Sequence, residues 1–344
     1  MELKNFENPL FHTVYGRKLI KGLVETVNSP YLIVTMPELW SRFKDEFDAK
    51  NVAYVHYAES LDIEDLENLV RSVPQVSSVI GIGGGRALDA AKYVSWRRNI
   101  PLFQVPTSTS VNAAFTHRTA VRIKNVVRYI GWAVPEVVYV DYDIIKSAPP
   151  HLNRAGVGDV FCIHTAHYDW RLATERGMEE TWPWDDELAA EAKKVLQSVR
   201  DNAVEVGKVS DVGIRVLMEA HRWTGASYHN SGWNPRPIEG CEHFFFYTLE
   251  YLTKKAYVHG EVVCMGILFM SLLQGNDAEG IWKSIKEAKV RVRPEDIGET
   301  WDMVEKALKM TRKYSIENKL FYTTVHERDI TDDIIKMGKE LLYS

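Results

Sequence analysis

The sequence has little cysteine. Cys162, Cys241 and Cys264 form no CxxC pair, and an odd, scattered set argues against a disulfide framework and for a reducing compartment. Positive charge is not in excess either. With 42 basic and 47 acidic residues the formal net charge is −5, so neither nucleic acid nor an anionic membrane is an expected partner. Long hydrophobic runs are also missing. The stretch VVCMGILFMSLL (262–273) is too short to span a bilayer and reads as a buried helix. The opening MELKNFENPLF lacks the apolar core of a secretory signal, so a soluble, cytoplasmic protein is expected. Internal repeats and low-complexity tracts are absent.

What is present is ordinary globular material of a length that suits two domains: 344 residues, 45% hydrophobic and 26% charged. Short β-rich runs alternate with amphipathic stretches through the first part of the chain. YLIVTM (31–36), VAYVHY (52–57), SSVIGIG (77–83), LFQVP (102–106) and VVYVD (137–141) read as strands. PELWSRFKDEFDAK, IEDLENLVRSV and residues 86–98 read as helices between them. This alternation predicts βαβ units, and the continuous hydrophobicity of the strands predicts a parallel sheet buried on both faces. AVRIKNVVRYIGWAV (120–134) reads as an inserted β-hairpin. After SAPPHLN the strand-like runs cease, so the expected division is an α/β, Rossmann-like domain over 1–147 and an all-α domain over 148–344.

The run VIGIGGGRALDAAKYV (79–94) matches a dinucleotide fingerprint in Gly81 and Gly83 but has Arg86 at the third glycine position. A strand, a glycine turn and a helix start still aim backbone N–H groups at an anion. The next strand runs directly into VPTSTSVNAAF (105–115), which crowds Thr107, Ser108, Thr109 and Ser110 where doubly wound sheets bind ligands. The helical part contributes Asp159 in RAGVGDVF, His243 in EGCEHFFF and His259 in VHGEVVC. An acid and two imidazoles from three helices could hold a divalent ion and leave a position open for substrate. His167, eight residues after Asp159, is a possible cleft group, whereas His164 reads as packing or surface.

GGGRALDAAK, PTSTS, AGVGD, EH and HGE, in this order, resemble the superfamily of iron-type alcohol dehydrogenases, glycerol dehydrogenases, glycerol-1-phosphate dehydrogenases and dehydroquinate synthases. The resemblance runs from about residue 12 to residue 270. HYDWRLA, RPIEGCEH and the spacing from His243 to His259 are most similar to the glycerol-1-phosphate dehydrogenase branch. It implies an NAD(P) domain, a helical metal domain and catalysis in the cleft between them. Gly83, Gly84, Gly85, Arg86 and Asp89 would then belong to the cofactor cradle, with Thr107, Ser108, Thr109, Ser110 and Thr116 as further cofactor contacts. Asp159, His243 and His259 would be the catalytic metal ligands for one zinc or iron ion. The metal would act as Lewis acid on a carbonyl while nicotinamide delivers hydride, and His167 or water would supply a proton.

Two positions depart from that branch. Asn112 stands where an acid is usual and Tyr247 where a second histidine is usual, so both are expected near substrate. His117, Arg118 and Arg122 make an anionic substrate plausible, and a phosphorylated polyol-type ketone or aldehyde is the expected class. The alternative is a sugar-phosphate cyclase using NAD transiently, against which Cys162 replaces that family's lysine. NAD and NADP remain equally open, because MPELW after the first strand carries no clear ribose acid or phosphate-binding arginine. A homo-oligomer is expected.

Overall fold

The computed structural model describes residues 11–179 and 181–344; the reading of the N-terminal MELKNFENPL lies outside them. The described residues divide into two compact units, one of residues 11–153 with 225–227, the other of residues 154–179, 181–224 and 228–344.

The first unit is built on a parallel sheet of six strands: β1 (Thr13–Gly16), β2 (Tyr31–Thr35), β3 (Val52–Tyr57), β4 (Ser78–Gly83), β5 (Leu102–Pro106) and β8 (Val137–Asp141). Their order is β1-β8-β5-β4-β2-β3, every pair parallel. β2, β4 and β5 are buried at every position, which accounts for their unbroken apolar runs. On β2 alternate residues enter opposite cores. Leu32 and Val34 join Leu66, Leu69 and Val94, while Tyr31 and Ile33 join Leu23, Phe43 and Phe103. The inserted hairpin is β6 (Thr119–Ile123) with β7 (Val126–Ile130), antiparallel.

The connections dictate where a ligand can lie. From β2 the chain crosses outward to β3 at one edge; from β4 it crosses the other way to β5. The crevice beyond the C-terminal ends of β2 and β4 is therefore a topological switch point. β4 and β5 end in register, with Gly83 opposite Pro106, and the Thr107 N–H donates to the Gly83 carbonyl at 3.0 Å. The glycine turn and the hydroxyl run thus leave the sheet side by side.

Two elements differ from expectation. The helix expected over residues 37–50 is helical only for Pro37–Phe43 and continues as 3₁₀ turns, Lys44–Glu46 and Ala49–Asn51. Asp48 accepts from the Lys50 N–H at 3.1 Å, a local bond that competes with further helix. Strand β1 and the helix Leu19–Thr26 behind it were not apparent from the pattern, because a four-residue strand gains its meaning only by pairing with β8.

In the second unit the described elements are helices. Its central one, His259–Gln274, is buried from Gly260 to Ser271 without interruption and absorbs the apolar run noted above. Cys241–Thr253 packs against it, as do Gly158–Phe161 and Ile163–Glu175. Among the described residues no helix is long and apolar enough to cross a membrane.

Candidate active site

In the second unit, donor atoms of Asp159, His243 and His259 lie within 4.8 Å of one another. Asp159 Oδ1 is 3.1 Å from His259 Nε2, and the two imidazole centroids are 5.2 Å apart. The glycines of AGVGD and HGE explain how residues so distant in sequence converge. A Cβ on Gly158 would come within 2.5 Å of the Gly260 Cα, and one on Gly260 within 1.8 Å of the Ala155 carbonyl oxygen. Backbone therefore rests on backbone at this point, and only glycine permits it. The contact brings the first turn that carries Asp159 up to the start of the helix that carries His259.

His243 is held from behind. Its Nδ1 lies 2.7 Å from Glu242 Oε1, leaving Nε2 as the outward donor. Glu242 is fully buried and also accepts from the Gly240 N–H and the Thr165 hydroxyl, each at 2.7 Å. Asp169, equally buried, accepts from the Cys241 N–H at 2.8 Å and from the Thr324 N–H at 2.7 Å, anchoring the helix start that bears His243. Burial raises the Asp169 carboxyl above its ordinary range against the pull of these donors. The roles of Glu242 and Asp169 were missed in the sequence, although a carboxylate beside a candidate ligand histidine is a usable signal. The donor set of one carboxylate and two imidazoles suits zinc or iron.

Other expected residues fall in varied places. The Tyr247 hydroxyl, one turn beyond His243, donates to Glu239 Oε1 at 2.9 Å. His164 contacts the Asn276 carbonyl oxygen at 2.6 Å, as befits packing. His167 is buried with its ring against Trp170 and Trp184, at centroid distances of 6.1 and 5.7 Å, and not among the donor cluster. Neither ring nitrogen has a hydrogen-bond partner among the described residues. Burial, with Lys193 nearby, lowers its pKa to about 3. The Glu261 carboxylate of HGE turns to Arg291 at 2.7 Å. Cys162 donates to the Ile238 carbonyl, and all three cysteines are free and buried.

The first unit presents a second set. Gly84 caps the helix Gly85–Arg98 with no side-chain bond to its free N–H groups and no acid in its first turn, while Arg86 there is exposed. Gly83 and Gly85 are glycines for internal reasons. A Cβ would lie 2.7 Å from the Ala87 Cβ in one case and 2.9 Å from Val111 Cγ2 in the other. Gly84 is different: its Cβ would meet nothing closer than Ser108 Oγ at 3.9 Å. The space over Gly84 is empty of protein, and its backbone can be approached closely there. Ser108 bonds Ser110 at 3.0 Å beside it, whereas Thr109 is tied to Asn153 through its N–H at 2.9 Å and its hydroxyl at 2.8 Å. An uncapped helix N-terminus, open backbone and neighbouring hydroxyls fit a dinucleotide phosphate.

Asp89, Thr116 and Arg118 meet around one buried amine, Lys92, whose Nζ is 2.7 Å from Asp89 Oδ1. Asn112 opens the 3₁₀ turn Asn112–Phe115, and Arg118 donates to the Tyr129 carbonyl at 3.0 Å. Burial raises the Asp89 carboxyl above its ordinary range against the pull of Lys92 and Arg122, and the Arg122 N–H donates to the Leu61 carbonyl at 2.8 Å.

Comparison with known proteins places the chain among metal- and nicotinamide-related sequences and folds by likeness alone. A sequence profile described as iron-containing alcohol dehydrogenase matches residues 34–149. The glycerol-1-phosphate dehydrogenase [NAD(P)+] of Hyperthermus butylicus is 30% identical over 88% of this chain and 87% of its own. That of Sulfurisphaera tokodaii is 28% identical over 99% of both chains. Among solved structures, a probable glycerol dehydrogenase from Sinorhizobium meliloti shares the fold with a TM-score of 0.75 at 17% identity, over 96% of this chain and 95% of that one. A 2-epi-5-epi-valiolone synthase from Streptomyces hygroscopicus, solved with NAD+ and Zn2+ bound, shares it at 0.65 and 14%, over 100% and 99%.

Proposed function

The chain belongs to the iron-containing alcohol dehydrogenase family, alongside the glycerol-1-phosphate dehydrogenases, and we propose on that basis that it reduces a phosphorylated polyol-type ketone or aldehyde with NAD(P)H and a divalent metal. The observation that carries this reading is the Asp159–His243–His259 donor cluster with Glu242 fixing His243 from behind. In this reading Asp159, His243 Nε2 and His259 hold one zinc or iron ion. The Gly83–Gly85 turn, Arg86, Ser108 and Ser110 receive the dinucleotide phosphates. Such an ion and a nicotinamide supply, when bound, polarisation of a carbonyl oxygen and a hydride for its carbon.

The protein's own groups do the rest. Glu242 holds the His243 ring in one tautomer, so its outer nitrogen stays an electron-pair donor. Glu239 accepts the Tyr247 hydroxyl proton, which turns that hydroxyl's lone pairs toward any neighbouring donor. Arg118, Arg122 and Asn112 belong to one segment and its hairpin, and the two guanidinium groups there support an anionic substrate. His167 is not used, since its ring is packed among tryptophans. The proposal includes a cytoplasmic setting, which three free thiols support, and self-association.

The test is a panel of carbonyl compounds, led by dihydroxyacetone phosphate, with NADH and NADPH and added zinc or iron. Stoichiometric loss of the reduced nicotinamide with the phosphorylated ketone is expected. Best efficiency on free dihydroxyacetone, left untouched in Arg118→Ala, would overturn the anionic-substrate part. Product formed with no net cofactor loss would point to a cyclase instead.

A further inference from the structure

Lys92 is fully buried in the middle of the helix Gly85–Arg98, an unusual place for an ammonium group. All of its donors are spoken for. Nζ lies 2.7 Å from Asp89 Oδ1 one turn earlier, 2.5 Å from the Thr116 hydroxyl and 2.7 Å from the Arg118 carbonyl oxygen. Asp89 in turn engages the backbone of Ala120. Two side chains on one helix face therefore grip residues 116–120, which lead from the 3₁₀ turn Asn112–Phe115 into β6.

We propose that Lys92 is a positioning residue: it fastens the Asn112–Arg118 segment to the helix whose N-terminus faces the dinucleotide, and so sets the placement of the substrate-contacting groups. The proposal rests on the functional reading above. Apolar packing alone would hold a segment against a helix without a buried ion pair, and replacing such a pair with neutral groups is often harmless to stability. The charged pair is instead directional. An ammonium with three oxygens at hydrogen-bond distance fixes the Thr116 hydroxyl and the Arg118 carbonyl relative to its own helix in all three dimensions. The helix end near the cofactor and the segment near the substrate then move as one body.

The neutral double variant Asp89→Asn/Lys92→Met separates positioning from stability, because it removes both charges of the buried pair together. Three readouts are needed on the metal-loaded protein: amide hydrogen exchange over residues 112–118, NAD(P)H affinity by nicotinamide fluorescence, and KM with kcat for the phosphorylated ketone. The expected result is faster exchange over 112–118 and KM raised at least about tenfold, with a smaller loss of cofactor affinity than of KM. Lys92→Arg, which keeps the charge and donors, should recover part of the KM. Unchanged exchange overturns the proposal, and so does faster exchange with parental KM and kcat. A parent protein that turns over no phosphorylated ketone would refute the functional reading. Exchange over 112–118 would still decide whether Lys92 holds the segment.

Discussion

At the proposed metal site a side chain behind a ligand histidine offers the first test. Glu242 spends its oxygens on the Gly240 N–H, the Thr165 hydroxyl and His243 Nδ1. Glu242→Gln keeps the shape but replaces a carboxylate acceptor with an amide, so zinc affinity should fall about 10- to 100-fold in competition with a chelator, with the fold retained. Unaltered affinity would show that His243 needs no partner. His167 offers a cleaner test of burial. Its folded pKa is depressed to about 3, chiefly by desolvation, below an unfolded reference of 6.5. A group with a depressed basic pKa favours folding above the unfolded value. As pH falls below 6.5 the unfolded chain takes up a proton that the native one refuses, and stability is lost down to about pH 3. Between pH 7 and pH 5 the loss from this residue should be about 2 kcal/mol. Urea unfolding of the parent and of His167→Leu should therefore show a stability difference that shifts by that amount over the interval. Parallel pH profiles would mean that the ring is hydrated after all.

At the scale of elements, one turn and one helix end are expected to govern cofactor affinity. Gly84→Val would fill the open space in front of the helix Gly85–Arg98 without disturbing the protein behind it, since only Ser108 Oγ lies within 4 Å of the new Cβ. NAD(P)H binding should weaken at least ~10-fold, or about 1.4 kcal/mol, while unfolding stays near that of the parent. Titration indistinguishable from the parent would make the turn a packing device only. Much at this scale was readable in the sequence: all five strands inferred from apolar runs, the hairpin, and the helix at residues 86–98. Burial on both faces writes an unbroken apolar word, and VVYVD or YLIVT cannot be mistaken. What escaped has other causes: β1 is four residues whose partner lies more than a hundred residues away, and Asp48 caps a 3₁₀ turn by a local bond that no periodicity reveals.

For the whole molecule, the change from an α/β to a helical architecture and the convergence of Asp159, His243 and His259 could be read from short, ordered motifs; the network behind them could not, since Asp169, Thr324 and Cys241 meet only in three dimensions. If the trio does bind the ion, ligand linkage ties stability to metal. Zinc held free at 100 times its dissociation constant should add about 2.7 kcal/mol of resistance to unfolding, and His259→Ala should abolish that gain. A melting temperature blind to zinc would argue against the ligand assignment. The backbone contact between Gly158 and Gly260 carries one more consequence, this time for biosynthesis. Neither segment can present its donor until the other has been made, so Asp159 waits through the synthesis of a further hundred residues. If Asp159, His243 and His259 ligate as proposed, an ion would be captured only after His259 has left the ribosome and the two glycines have met, which would make metal loading a late event that reports on completed folding.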